Sequence, residues 1–185
     1  MWCTTSLRGN FVATLTAEVL TEGVHSGAAS GIVPSSFRVL RELLDRVEDP
    51  VTGEILVEEL ITPIPPDRRR QAVAVAGVLG ASVHEKFPFV PGMRPTSNEP
   101  GELLLANTWR PTLSVPGADG LPAVRGAGNV LRPSTTLKLS FRLPPTLPAG
   151  IAAAALRARL ERDAPYGARV TFKVESAMAG WNAPP

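Results

Sequence analysis

Three side chains in this sequence are of types that hold a substrate carbonyl or carboxylate: His25, Asn129 and Arg142. His25 lies in a short polar loop, Gly23-Val24-His25-Ser26-Gly27, at the end of the first long patterned segment. Asn129 opens the run Asn129-Val130-Leu131-Arg132-Pro133, which feeds a strand ending in Phe141-Arg142. An N–H donor placed at a developing oxyanion is typically worth ~3 kcal/mol in a transition state. A guanidinium grips a carboxylate through two parallel hydrogen bonds, which an ammonium does not. The amide of Asn129 can bond the same carboxylate. Arg132 is a second candidate for the anion, ranked behind Arg142 because it precedes Pro133 in a turn. Each residue also has a plainer role open to it. His25 could bond a neighbouring carbonyl, Arg142 could be a solvated strand arginine, and Asn129 could serve only a turn conformation.

What the chain lacks is as informative. It has two histidines, one cysteine and no carboxylate cluster with metal-ligand spacing. His84, followed by Glu85, has no second His or Cys partner, so a surface place is expected and not a metal site. The expectation is a substrate-gripping part of an enzyme whose bond-breaking groups lie elsewhere. A formal charge of +2 with dispersed arginines, and 5% aromatic residues, argue against nucleic acid as a partner. No apolar run approaches the ~20 residues of a membrane helix. Met1-Trp2-Cys3-Thr4 lacks the basic-then-apolar pattern of a leader, and a cytoplasmic location is expected. A lone Cys3 leaves no internal disulfide.

The elements that must position these groups are readable from periodicity. From Leu7 to Leu20, Phe11, Ala13, Leu15, Ala17 and Val19 alternate with Val12, Thr14, Thr16 and Glu18, as in a half-buried strand. Pro34 is expected to open a helix whose stripe is Val33, Phe37, Leu40, Leu44 and Val47. Pro65-Pro66 and the run to Leu79 suggest a short helix with Arg68-Arg69-Arg70 as a solvated start. Pro88 to Gly101 reads as loop. Thr108 to Val115 reads as an edge or bulged strand because Pro111 lies inside it, and 116–128 as a Gly/Pro/Ala loop. Thr135 to Leu143 is a clean strand, Ala149 to Arg162 a helix, and Ala168 to Val174 a last strand. The order β-α-(insert)-β-β-α-β is that of an α+β, ferredoxin-like two-layer sandwich. It predicts a four-stranded antiparallel sheet with helices on one face, plus an insertion over 51–106. Its first strand's start and last strand's end should lie side by side, as a domain inserted in another requires.

Several of these runs resemble one family. His25-Ser26-Gly27, then Gly31-Ile32-Val33-Pro34 and an amphipathic helix, resemble the start of the lid domain of the zinc metallopeptidases related to carnosinase, aminoacylase and carboxypeptidase G. Thr108-Trp109-Arg110-Pro111-Thr112-Leu113-Ser114-Val115-Pro116-Gly117 is similar to the next strand in their dipeptidase branch. Gly126-Ala127-Gly128-Asn129-Val130-Leu131-Arg132-Pro133, with Leu139-Ser140-Phe141-Arg142-Leu143, resembles that family's loop-and-strand motif. The resemblance implies a lid and dimerisation domain, a parent that cleaves peptides or N-acyl amino acids, and a homodimer. It implies zinc in a catalytic domain absent from this chain, with none bound here. His25 would polarise the scissile carbonyl across the dimer, and Asn129 and Arg142 would bind the substrate carboxylate. Residues 1–6 and 176–185, with Trp181 in the latter, would be linkers to the absent domain, and 7–175 the lid. The chain by itself would be inactive. The competing expectation is a stand-alone ferredoxin-like module that binds a small ligand or serves only to dimerise.

Overall fold

The computed structural model describes residues 4–184; Met1 to Cys3 and Pro185 lie outside the described residues. In chain order the elements are β1 (Ser6–Leu7), β2 (Gly9–Glu18), β3 (Val24–His25), α1 (Ser26–Ala29), α2 (Ser36–Leu44), α3 (Pro66–Leu79), α4 (Ser82–Glu85), α5 (Pro100–Thr108), β4 (Thr112–Asp119), β5 (Val130–Leu131), β6 (Ser134–Leu143), α6 (Ala149–Glu161), β7 (Arg169–Met178) and β8 (Trp181–Asn182). The main sheet is antiparallel in the order β4-β6-β2-β7, so β2 and β6 are central and β4 and β7 are edges. This is the expected α+β, ferredoxin-like arrangement.

Period-two patterning builds the sheet. Phe11, Ala13, Leu15 and Ala17 of β2 are fully buried, as are Leu139, Phe141 and Leu143 of β6 and, nearly so, Phe172 of β7. Phe11 packs edge-on to Phe141 and stacks on Phe172, with ring centroids 6.1 and 6.2 Å away. Two helices cover this face. α2 contributes Val39, Leu40 and Leu43, and α6 contributes Ala152, Leu156 and Leu160 at four-residue spacing. The stripe on α2 differs from the expected one: Phe37 is exposed, and buried Ser36 takes its place. Helix α2 starts at Ser36 with Ser35 as cap, so Pro34 precedes the helix and does not open it. The opposite face of the sheet is bare and polar. It carries a Thr16–Thr136 hydroxyl pair at 2.8 Å and a Lys138–Glu175 ion pair at 2.9 Å.

The block 51–106 is more ordered than the sequence suggests. α3 runs fourteen residues. α5 forms where loop and then strand were expected, with Pro100 in its first turn, where a missing N–H costs nothing. Trp109 is no strand residue. It ends α5 and is buried with Leu105 and Ala72 in a second, small apolar cluster. Pro111 therefore lies just before β4, and β4 continues to Asp119 through a register shift between Ser114 and Gly117 at Pro116. Ile55, Val57 and Leu60 belong to the main core. Arg68 is not solvated. It is buried, with Nε donating to Asn182 Oδ1 at 2.9 Å, Nη1 to Gln71 Oε1 at 2.9 Å and Nη2 to the Ala183 carbonyl at 2.7 Å.

The two ends of the described chain meet. β1 pairs antiparallel with β8, Ser6 opposite Asn182 and Leu7 opposite Trp181. β7 runs past residue 175 to Met178, where it faces Asn10. No described helix is long and apolar enough to cross a membrane.

Candidate functional site

β3 and β5 form a two-stranded ribbon beyond one end of the main sheet, pairing Val24 with Leu131 and His25 with Val130. The Ser26 N–H donates to the Asn129 carbonyl at 2.9 Å. His25 and Asn129 are thereby held side by side, and both are exposed. The ribbon is anchored from below. Val19 N–H donates to the Pro133 carbonyl at 2.8 Å. Buried Ser36 Oγ lies 2.8 Å from Thr135 Oγ1 and donates to the Arg132 carbonyl at 3.4 Å.

The His25 ring is preset. Gly27 N–H donates to its Nδ1 at 3.2 Å, so the side chain caps the short α1. A nitrogen that accepts carries no proton, and the neutral ring then holds its proton on Nε2. His25 uses Nδ1 to accept from its own loop and does not give its N–H to a neighbouring carbonyl. Both flanking glycines have a steric reason. A Cβ at Gly27 would lie 2.9 Å from His25 Cε1 and 3.0 Å from Nδ1, and one at Gly23 would lie 2.9 Å from Val130 Cγ1.

Arg132 is half-buried three residues after Asn129, at the same end of the molecule. Arg142 is not. It lies at the far end of β6, opposite Asn10 and Thr112, exposed on the bare face of the sheet. Eight residues separate it from Ser134, about 27 Å at ~3.4 Å per strand residue. Within one chain, therefore, His25 and Asn129 meet while Arg142 stands apart. His84 is half-buried with its Nδ1 unpartnered, its ring 6.4 Å from that of Phe89. Among the described residues no group of three or more His, Cys, Asp or Glu side chains converges to hold a metal. The described residues do not fit a zinc centre.

One residue near Arg142 was not singled out from the sequence. Arg8 reaches across the bare face to Thr112 and the end of α5, with Nη1 3.1 Å from the carbonyl oxygens of Ala106 and Arg110. Burial and the neighbouring charge of Arg142 push its pKa down to about 10.

No protein-family profile matches the sequence, and no curated protein matches it. Solved structures do. Human carnosine dipeptidase 1 superposes with a TM-score of 0.72 at 23% identity, over 98% of this chain and 39% of its own. The dipeptidase Dug1p of Saccharomyces cerevisiae gives 0.70 at 20%, over 98% and 38%. The M20 family metallo-carboxypeptidase Sso-CP2 of Sulfolobus solfataricus gives 0.67 at 18%, over 94% and 45%. The chain thus spans less than half the length of each. It has the fold of one part of these peptidases.

Proposed function

We propose that this chain is the lid domain of a zinc-dependent dipeptidase or aminoacylase-like hydrolase, and that it works as a dimer. The observation that carries the reading is the preset imidazole: His25 Nδ1 is engaged by Gly27, which leaves Nε2–H as an exposed donor beside Asn129. Such a donor suits a scissile carbonyl that gathers negative charge when attacked. The attack itself belongs to a catalytic domain outside this chain, where zinc would supply the activated water. The fold shared with two dipeptidases and a metallo-carboxypeptidase supports the assignment.

The separation of Arg142 from His25 supports action across a dimer. A dipeptide spans at most about 7 Å, far less than the length of β6. One substrate can meet both groups only if His25 and Asn129 come from one chain and Arg142 from its twin. Arg142 would clamp the terminal carboxylate, Asn129 would assist, and Arg132 would add positive charge at the His25 end.

The test is a pair of substitutions in the full-length parent. His25→Ala is expected to lower kcat by roughly a hundred- to a thousandfold, the loss of one oxyanion donor. Arg142→Ala is expected to act mainly on KM, because a carboxylate clamp serves ground and transition states alike. If His25→Ala leaves kcat unchanged, the donor role is wrong.

A further inference from the structure

Two arginines stand next to each other on the bare face of the sheet. Arg142 faces Thr112 across the β4–β6 ladder, and Arg8 Nη1 lies 3.2 Å from the Thr112 hydroxyl. Among the described residues neither has a carboxylate within ion-pair distance. Like charges this near repel, and the charge of Arg142 is felt by Arg8.

Arg8 differs from Arg142 in what it spends. Its Nη1 serves three acceptors, the Ala106 and Arg110 carbonyls and the Thr112 hydroxyl, and Nη2 donates to Asn107 Oδ1 at 3.2 Å. The Ala106 carbonyl is one of the last four of α5, which have no partner inside the helix. These oxygens gather at the negative end of the helix, where a cation is attracted. Arg142, which faces Thr112 across the ladder and whose charge acts on Arg8, is a neighbouring cation, and Arg110 at the end of α5 is already paired with Glu102. A guanidinium bonded to those oxygens would be turned toward them and would have fewer of its five N–H donors left for a substrate.

We infer that Arg8 is a positioning residue for Arg142: it occupies the oxygens around Thr112 and the end of α5 and so keeps the Arg142 guanidinium free to receive a carboxylate. This rests on the reading of Arg142 as the carboxylate clamp. Arg8 touches no substrate; it satisfies the acceptors, and its fixed charge holds Arg142 away from them. Lysine would be a poor replacement, since a single ammonium cannot reach at once the acceptors that Nη1 and Nη2 of a planar fork serve separately.

The experiment follows the Arg142 Nε–H proton by nuclear magnetic resonance in this chain without ligand. In the wild type it should exchange with water as fast as a free guanidinium proton. In Arg8→Met, a neutral side chain of similar length, Arg142 should fold onto the vacated oxygens and its exchange should slow by roughly tenfold or more. Arg8→Lys keeps the charge but reaches fewer oxygens, and a smaller slowing is expected. An unchanged rate in Arg8→Met, with the amide spectrum intact, overturns the inference. If Arg8→Met does not fold, Arg8→Lys decides, and an unchanged rate there overturns it equally. A second arm separates this from the clamp reading. N-acetylglycine is titrated into wild type and Arg142→Met. Binding that survives Arg142→Met removes the clamp, while the exchange rates still decide whether Arg8 holds Arg142 free.

Discussion

The His25 imidazole owes its orientation to one backbone N–H and the missing side chain of the residue that carries it. Gly27→Ala places a methyl 2.9 to 3.0 Å from the ring, so the ring must swing away and lose its bond to Gly27. We expect little change in stability, because the loop is exposed, and a clear change in the nitrogen-15 shifts of the His25 ring as the Nδ1 acceptor is lost. Turnover of the parent should fall with it; an unaltered ring spectrum would show that the bond does not set the tautomer. A second polar device is structural. Asp49 Oδ1 accepts from the N–H groups of Val51 and Thr52 at 2.8 and 2.7 Å, and these bonds hold its pKa below the usual aspartate value. A lowered folded pKa stabilises above the unfolded value of ~3.9 and is lost as pH falls through the lower folded one. Asp49→Ala should therefore lower the urea midpoint at neutral pH, and the gap to wild type should narrow as pH falls below the unfolded value and through the lowered folded one. A gap that persists there would assign the effect to something other than the charge. The exposed loop that carries His25 was legible in the sequence because glycines flank it, while its pairing with the Asn129–Leu131 stretch was not. Arg8 was not: its position before a strand says nothing of acceptors a hundred residues later.

At the scale of elements, strict alternation made β2 and β6 legible almost to the residue. The same alternation misled at Thr108 to Val115, where Trp109 fell by chance on an apolar beat. Its real environment is a cluster with Ala72 and Leu105, too small to impose a full stripe on α5 and so to announce that helix, whereas α3 was readable from its prolines and Ala/Val run. Likewise Phe37 has the spacing of a core residue, yet the buried Ser36–Thr135 hydroxyl pair takes the inward place at the start of α2. The strands that alternate cleanly should dominate stability. Phe11 sits at the centre of three rings with no exposed surface. Phe11→Ala should cost about 3–5 kcal/mol, the usual range for emptying such a site. Chemical denaturation measures it, and a loss below 1 kcal/mol, roughly what an exposed substitution costs, would contradict the packing described. His25 lies on the β3–β5 ribbon beyond this core and caps only the four-residue α1, so His25→Ala should lower the denaturation midpoint far less than Phe11→Ala does.

Across the whole molecule, the length of β6 is the decisive quantity. It places His25 and Asn129, the proposed donor pair, at one end and Arg142, the proposed clamp, at the other, too far apart for a dipeptide to touch both. In the proposed dimer a second copy joins them, each site taking its donor from one chain and its clamp from the other. The direct measurement is complementation in the parent enzyme with two variants altered only in this domain. His25→Ala and Arg142→Ala are each purified, denatured together, refolded as an equal mixture and assayed at substrate far below KM, where both variants are impaired. In a mixed dimer one site then receives an intact His25 from one chain and an intact Arg142 from the other, while the second site receives neither. With random pairing in a two-fold dimer, about half the dimers are mixed, each with one good site of two, and activity should return to about a quarter of wild type. If mixed dimers form and activity stays at the level of the separate variants, both groups serve the same chain's site, and the account of the domain is wrong.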